Sequence, residues 1–283
     1  MQRYKILHRT YYNFSDSVIL GPHYLRLRPH ENHELRIESS TLNITPSATL
    51  LWHRDVEGNS VAIAAFDLPT TQLIVESEMF IHQFNENPLD FVVESYAVDY
   101  PFRYQADDEV VLLPYMEVPQ GEEKELILNW LQSFIKSDEQ IQSYTLLHRL
   151  SLHINQTLSY KLREEPGVQT AGQTLSYGTG SCRDFATLFM QAARCLGLAA
   201  RFVSGYNYAE PSAVNFGSTH AWAEVYLPGA GWKGFDPTNG EIVGSEHFAV
   251  AVARLPESVP PIAGSFVGPS GSQLDVGVWV TKA

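Results

Sequence analysis

The sequence predicts an α+β chain in two parts: an all-β, sandwich-like domain, then helices packed on an antiparallel sheet. Three observations carry this prediction. Apolar residues recur with period two up to about Tyr100 and with a period of about 3.6 beyond it. The early segments are short and broken by turn signals, and the helical segments come as a run ahead of two hairpin-forming strands.

In the front part, residues 4–8, 41–45, 61–66, 73–81 and 91–94 alternate as half-buried strands do, with turns at 55–59 and 68–70. Short strands at this spacing predict a sandwich. His30 and His33 stand close together in a polar loop without a third ligand, and read as surface residues. Pro101, Pro114 and Pro119 punctuate an irregular stretch. The domains are therefore placed at 1–105 and 121–283, with 106–120 as connector.

Beyond the connector, residues 122–136 put Leu126, Ile127, Trp130 and Phe134 on one side of a helix whose first turn is acidic. Residues 143–157 repeat the pattern through Leu146, Leu147, Leu150 and Ile154. The third helical segment organises the rest. It starts at Cys182, buries a face through Phe185, Leu188, Phe189, Ala192 and Leu196, and stops at Gly197. Cys182 thus lies in a first helical turn, where unpaired N–H groups and the positive end of the helix dipole favour a reactive sulfur. Cys195 stands at the far end of the same helix. At about 1.5 Å rise per residue the two sulfurs are roughly 20 Å apart, too far to bridge. Cys195 reads as a small buried hydrophobe.

Residues 199–206 and 220–227 follow as strands, then a turn at 228–231 and a return strand at 232–236 closed by Pro237. In the second strand His220, Trp222, Glu224 and Tyr226 share one face, and Ala221, Ala223, Val225 and Leu227 the other. If Tyr226 pairs with Trp232, Trp222 opposes Asp236, and Asp236 becomes the diagonal neighbour of His220, roughly 7–8 Å away at the backbone. A one-residue slip would send Asp236 to the opposite face.

In that register Cys182, His220 and Asp236 are the parts of a nucleophile, a base and an orienting acid for acyl transfer through a thioester. The backbone N–H of Cys182 is a donor for the developing oxyanion, and Tyr177 is the nearby side chain read as a second. Tyr206, Tyr208 and Trp222 are expected to line the adjoining cleft as substrate-binding residues. A zinc site built from Cys182, His220 and Asp236 would lack a fourth ligand and any paired-Cys or short-spaced His motif. With no calcium-loop pattern either, no metal and no cofactor is expected.

Three blocks of the chain resemble the transglutaminase-like superfamily, the papain-like group holding transglutaminases and bacterial proteins of cysteine-protease type. They are Gly180-Ser181-Cys182-Arg183-Asp184-Phe185-Ala186; Arg201 to Tyr206 leading to His220 to Tyr226; and Gly231-Trp232 with Phe235-Asp236-Pro237-Thr238. The resemblance covers about residues 120 to 283, and the β-rich front resembles the N-terminal domain that often precedes this core in bacterial members. It implies a papain-like transglutaminase core with Cys182 as nucleophile, His220 as base and Asp236 as orienting acid. It also suggests a structural role for Asp184. The leading expectation is a cysteine-dependent amide hydrolase, a protease or peptidase, acting on a peptide or peptide-like amide. A transglutaminase-type acyltransferase and a scaffold or binding protein without catalysis are the competing readings.

A net charge of −13 without a run of Lys or Arg argues against a nucleic-acid partner. No stretch approaches the roughly 20 apolar residues of a membrane span, so no membrane partner is expected. Two cysteines that cannot pair, and an opening that runs into a strand pattern and not a signal-peptide core, lead to the expectation of a cytoplasmic protein.

Overall fold

The front of the chain is built on one long strand, Gln2–Leu20, in which Tyr4, Ile6, His8 and Thr10 alternate into the interior. The computed structural model describes residues 1–85, 87–136, 139–163, 165–209, 219–269 and 271–283. Thr70–Gln83 and Ser272–Lys282 flank the long strand antiparallel, and Leu35–Thr45 pairs beyond Thr70–Gln83. A smaller sheet runs in the order Ile262–Ala263, His23–Leu25, Ser60–Ala65, Thr49–Arg54. Phe14, Val18, Leu20, Leu73 and Val75 of the large sheet meet Leu25, Ala62 and Ala64 of the small one, which is the sandwich-like packing that the alternation predicts.

The other half of the large sheet has a different partner. Tyr4, Ile6, Met79, Ile81, Val278 and Val280 cluster with Tyr206, Phe248 and Val250 of the second part. The two parts therefore share a core.

That second part is a five-stranded antiparallel sheet in the order Glu241–Ile242, Gly231–Asp236, Thr219–Leu227, Ala200–Asn207, His247–Ala253. Helices Glu122–Gln132, Ser143–Thr157 and Ala171–Tyr177 gather around the central helix Cys182–Cys195. The central helix buries Phe185, Leu188 and Phe189 against Ala221, Ala223, Val225 and Phe235 of the sheet. At about 1.5–3 kcal/mol for each fully buried Leu or Phe, this face fixes the helix on the sheet.

Three expectations need correction, and one strand has no counterpart among them. Residues 91–94 form no strand: Glu94 N–H bonds the Pro228 carbonyl at 2.8 Å and the Phe91 ring packs on Tyr144, so the segment straps the second part without a ladder. Thr49–Arg54 is a strand that the alternation hides, because its side chains are mostly exposed on both faces. The connector is not irregular throughout, for it contains helix Ala106–Leu112 with Asp107, Asp108 and Glu109 in its first turn. Finally, the second part does not run to residue 283. Ile262–Ala263, Phe266–Val267 and Ser272–Lys282 return to the front sheets, with Tyr4 paired to Lys282 at one end of the last strand and Phe14 to Ser272 at the other.

Candidate active site

Cys182 is delivered by a sequence of local stops. Helix Ala171–Tyr177 opens with Thr170 and Gln173 capping each other's backbone N–H groups, and ends where Gly178 takes φ 66°. Thr179 and Gly180 then pair in parallel with Ser159 and Tyr160. Ser181 N–H and Oγ–H both donate to Asp184 Oδ2 at 2.8 Å, which starts the central helix with Cys182 as its first residue. Cys182 is half-buried, and as a first-turn residue its N–H has no acceptor within the helix.

Asp184 is fully buried beneath it. Arg163 Nη1–H donates to its Oδ1 at 2.8 Å and to Oδ2 at 3.0 Å, and Gln169 N–H to Oδ1 at 2.7 Å. Burial alone would raise this carboxyl, but the backbone donors Gln169 and Ser181 and then Arg163 outweigh it and hold Asp184 below the usual carboxylate range. The acid thus ties residues 163, 169 and 181 to the helix start.

The hairpin adopts the register on which the site depends. Tyr226 pairs with Trp232 and Ala223 with Phe235, with Gly229 and Gly231 turning the chain at φ 83° and 75°. Asp236 consequently reaches His220, with Nε2 to Oδ2 at 2.7 Å. Cys182 also acts on this imidazole, favouring its protonated form. Burial opposes protonation of His220, but the hydrogen bonds to Asp236 and to Cys182, with their charges, carry it up to about 10. Asp236 is buried, which would raise its carboxyl, yet His220 and His247 hold it well below the usual carboxylate range. At the far end of the helix, burial raises the Cys195 thiol.

Cys182 and His220 face one cavity of about 450 Å³. Its walls are largely apolar, from Leu162, Val168, Phe202, Val259 and the prolines 256, 260 and 261, with Arg163, Arg183 and Glu257 among the charged groups. A thiol beside an imidazole held by a carboxylate, opening on such a cavity, can pass its proton to the ring and attack an acyl carbon.

The predicted cleft residues lie elsewhere. Tyr206 is buried between the two parts, its hydroxyl 3.0 Å from His8 Nδ1 and donating to the Leu27 carbonyl at 3.3 Å. Tyr208 packs against Tyr4 and lies under the Lys282 ammonium. Trp222 is buried with Val203 and Val252 on the sheet face away from the central helix. Strand alternation gives a shared face, but at Tyr206 the front domain covers it and at Trp222 the segment around Val243 does. Tyr177, read as an oxyanion donor, is 62% exposed at a helix end and does not line the cavity. Tyr160 does line it, brought there by its pairing with Gly180, a contact without a periodic signal in the sequence.

His247 is the other residue that the sequence reading missed. Its Nε2 lies 3.3 Å from Asp236 Oδ2. Among the described residues, His220, Asp236 and His247 form a group whose possible metal-ligand atoms lie within 4.8 Å of one another. Both Nε2 atoms face one carboxylate oxygen, at 2.7 and 3.3 Å, within reach of N–H···O bonds.

Comparison with known proteins agrees with this architecture. Residues 133–237 match the transglutaminase-like superfamily, a span holding Cys182, His220 and Asp236, and residues 4–82 match the bacterial transglutaminase-like N-terminal region. The chain belongs to the transglutaminase-like superfamily. The uncharacterized protein ML0607 of Mycobacterium leprae is 26% identical over all of this chain and 99% of its own length. The uncharacterized protein Rv2569c of Mycobacterium tuberculosis is 26% identical over 98% of this chain and 91% of its own. A crystal structure described as a "Putative Cysteine Protease" from Cytophaga hutchinsonii superposes with a TM-score of 0.73 at 17% identity, covering 99% of this chain and 90% of that one. At that identity the likeness is one of fold. This transglutaminase-like chain thus shares both its core and its β-rich front with bacterial relatives.

Proposed function

We propose that this transglutaminase-like protein is a cysteine-dependent amide hydrolase acting on a peptide or peptide-like amide. One observation supports the reading above the rest: His220 bonds a buried, anionic Asp236 at 2.7 Å and lines, together with Cys182, a cavity large enough for a substrate. In this reading His220 takes the Cys182 proton, and the thiolate bonds to the carbonyl carbon. The C–N bond then breaks as His220 protonates the departing amine, leaving a thioester on Cys182. Water attacks the thioester with His220 as base, releasing the acid and restoring the thiol. The Cys182 N–H serves the oxyanion. The apolar walls favour a substrate with an apolar group beside the scissile bond.

Incubation with a library of amide substrates, with products followed by mass spectrometry, tests this. Wild type should release amine and acid from part of the library, with a transient acyl adduct on Cys182, and Cys182→Ala should release neither. Amine-dependent transfer without hydrolysis would replace the reading with acyltransfer, and identical product patterns from both proteins would end it.

A further inference from the structure

His247 lies outside the matched span of the superfamily core, yet it makes direct contact with the acid of the proposed triad. We infer that His247 is a positioning residue for this site: its Nε2–H holds the Asp236 carboxylate in the orientation that His220 requires. The inference rests on the reading in which Asp236 orients His220.

The tautomer follows from the ring's other partner. Gly244 N–H donates to His247 Nδ1 at 3.4 Å, so Nδ1 is an acceptor and the proton of the neutral ring sits on Nε2. That Nε2 faces Asp236 Oδ2, and the side chain is only 5% exposed. The ring therefore spends its one donor on the carboxylate. Asp236 in turn is fully enclosed and takes four donors: Thr238 N–H on Oδ1 at 2.9 Å, and on Oδ2 His220 at 2.7 Å, Asn239 Nδ2 at 3.0 Å and His247 at 3.3 Å. A buried carboxylate stays ionised and fixed only while such donors are in place.

The route of the chain explains how a residue from the far edge strand reaches this acid. After Asp236 the chain turns back through Glu241–Ile242, and Val243 N–H bonds the Gly234 carbonyl at 3.1 Å. Val243 fills the space over Gly234, where an added Cβ would lie 2.6 Å from it. The chain then crosses the sheet on the face carrying Trp222 and enters the opposite edge at His247, which pairs with Asn207. Trp222 stands edge-on to the His247 ring at 5.3 Å between centroids and so limits its rotation. The crossover delivers one side chain beneath the hairpin end.

The test compares replacements by the reach of their donors. A Gln amide nitrogen can stand near the position of Nε2, an Asn amide is a bond shorter, and Leu offers no donor. The readout is the second-order rate of Cys182 alkylation by iodoacetamide at near-neutral pH, with Cys182→Ala as blank, Asp236→Asn as reference, and thermal melting to verify folding. A tenfold change in rate corresponds to about 1.4 kcal/mol. His247→Leu and His247→Asn are expected to slow alkylation about tenfold, and His247→Gln to stay within about threefold of wild type. Should His247→Leu fail to fold, the Gln and Asn variants, alike in polarity, decide. Equal rates for those two, or a wild-type rate in folded His247→Leu while Asp236→Asn is slow, would overturn the inference. An unchanged rate in Asp236→Asn would instead overturn the triad reading on which it rests.

Discussion

Replacing Asp184 with Asn keeps the shape of a buried side chain and removes its charge. The native carboxylate accepts from Ser181 N–H, Ser181 Oγ–H, Gln169 N–H and Arg163, and has no exposed surface. An Asn offers one acceptor and turns two N–H groups toward donors, and it leaves Arg163 facing a neutral amide. Removing one partner of a buried ion pair costs about 3–5 kcal/mol. The Arg163 side chain is 16% exposed and can partly rehydrate, which places the expected loss near the lower end, about 3 kcal/mol. For a chain of this size that is a fall of roughly 6–12 °C in melting temperature, measured by circular dichroism at neutral pH. The sign with pH is fixed as well. Asp184 has a folded-state pKa below its unfolded value, so its contribution is complete above the unfolded carboxylate value of about 3.9 and is lost as pH falls through the lower folded value. The gap between wild type and Asp184→Asn should therefore be constant near neutrality and close in acid. A loss of under about 1 kcal/mol at pH 7, or a gap that widens in acid, would refute the account of how the Cys182 loop is held.

Other perturbations test the scaffold. His8 is buried against Tyr206 and Thr10, and burial lowers its pKa to about 4. The unfolded chain therefore binds a proton below about pH 6.5 that the native state refuses until about 4. Stability should fall across that window by up to about 3 kcal/mol, a slope that His8→Leu flattens in denaturant titrations at several pH values. His220 has the opposite sign. Its raised value near 10 contributes stability that is fully present below about pH 6.5 and lost as pH rises toward 10, and His220→Asn should remove that alkaline loss. Gly205→Ala would place a Cβ 2.4 Å from the Phe248 carbonyl oxygen and 2.5 Å from the Trp222 ring, and should cost about 1–3 kcal/mol by chemical denaturation. Truncation after residue 271 removes the strand paired along Tyr4 to Phe14 and takes Val278 and Val280 from the core, so aggregation by light scattering is the expected outcome.

The parts that were legible in the sequence are those fixed by local chemistry. The central helix announced itself through its apolar period and the glycine past its end, and the observed helix starts at Cys182 as the pattern predicts. The hairpin register followed from alternation and a glycine turn, and the pairing of Tyr226 with Trp232 carries Asp236 to His220. What alternation cannot show is which face a distant segment will cover. Alternation alone assigns Tyr206 and Trp222 to a cleft, but Tyr4, Ile6 and Phe248 enclose the first, and Val203, Val252 and Val243 the second. His247 sits at the start of an apolar edge strand, and only the crossover from Val243 makes it a neighbour of Asp236. The return of Ser272–Lys282 to the first strand was equally silent, since a strand does not name its partner across most of the chain.

The central claim is that Cys182 owes its reactivity to the imidazole beside it. The direct measurement is the iodoacetamide alkylation rate at each cysteine, resolved by peptide mass spectrometry under native conditions, in wild type and in His220→Ala. The account predicts rapid modification of Cys182, slow modification of Cys195, and a Cys182 rate in His220→Ala that drops toward that of Cys195. A Cys182 rate that is the same in both proteins, or no faster than that of Cys195 in wild type, would contradict it.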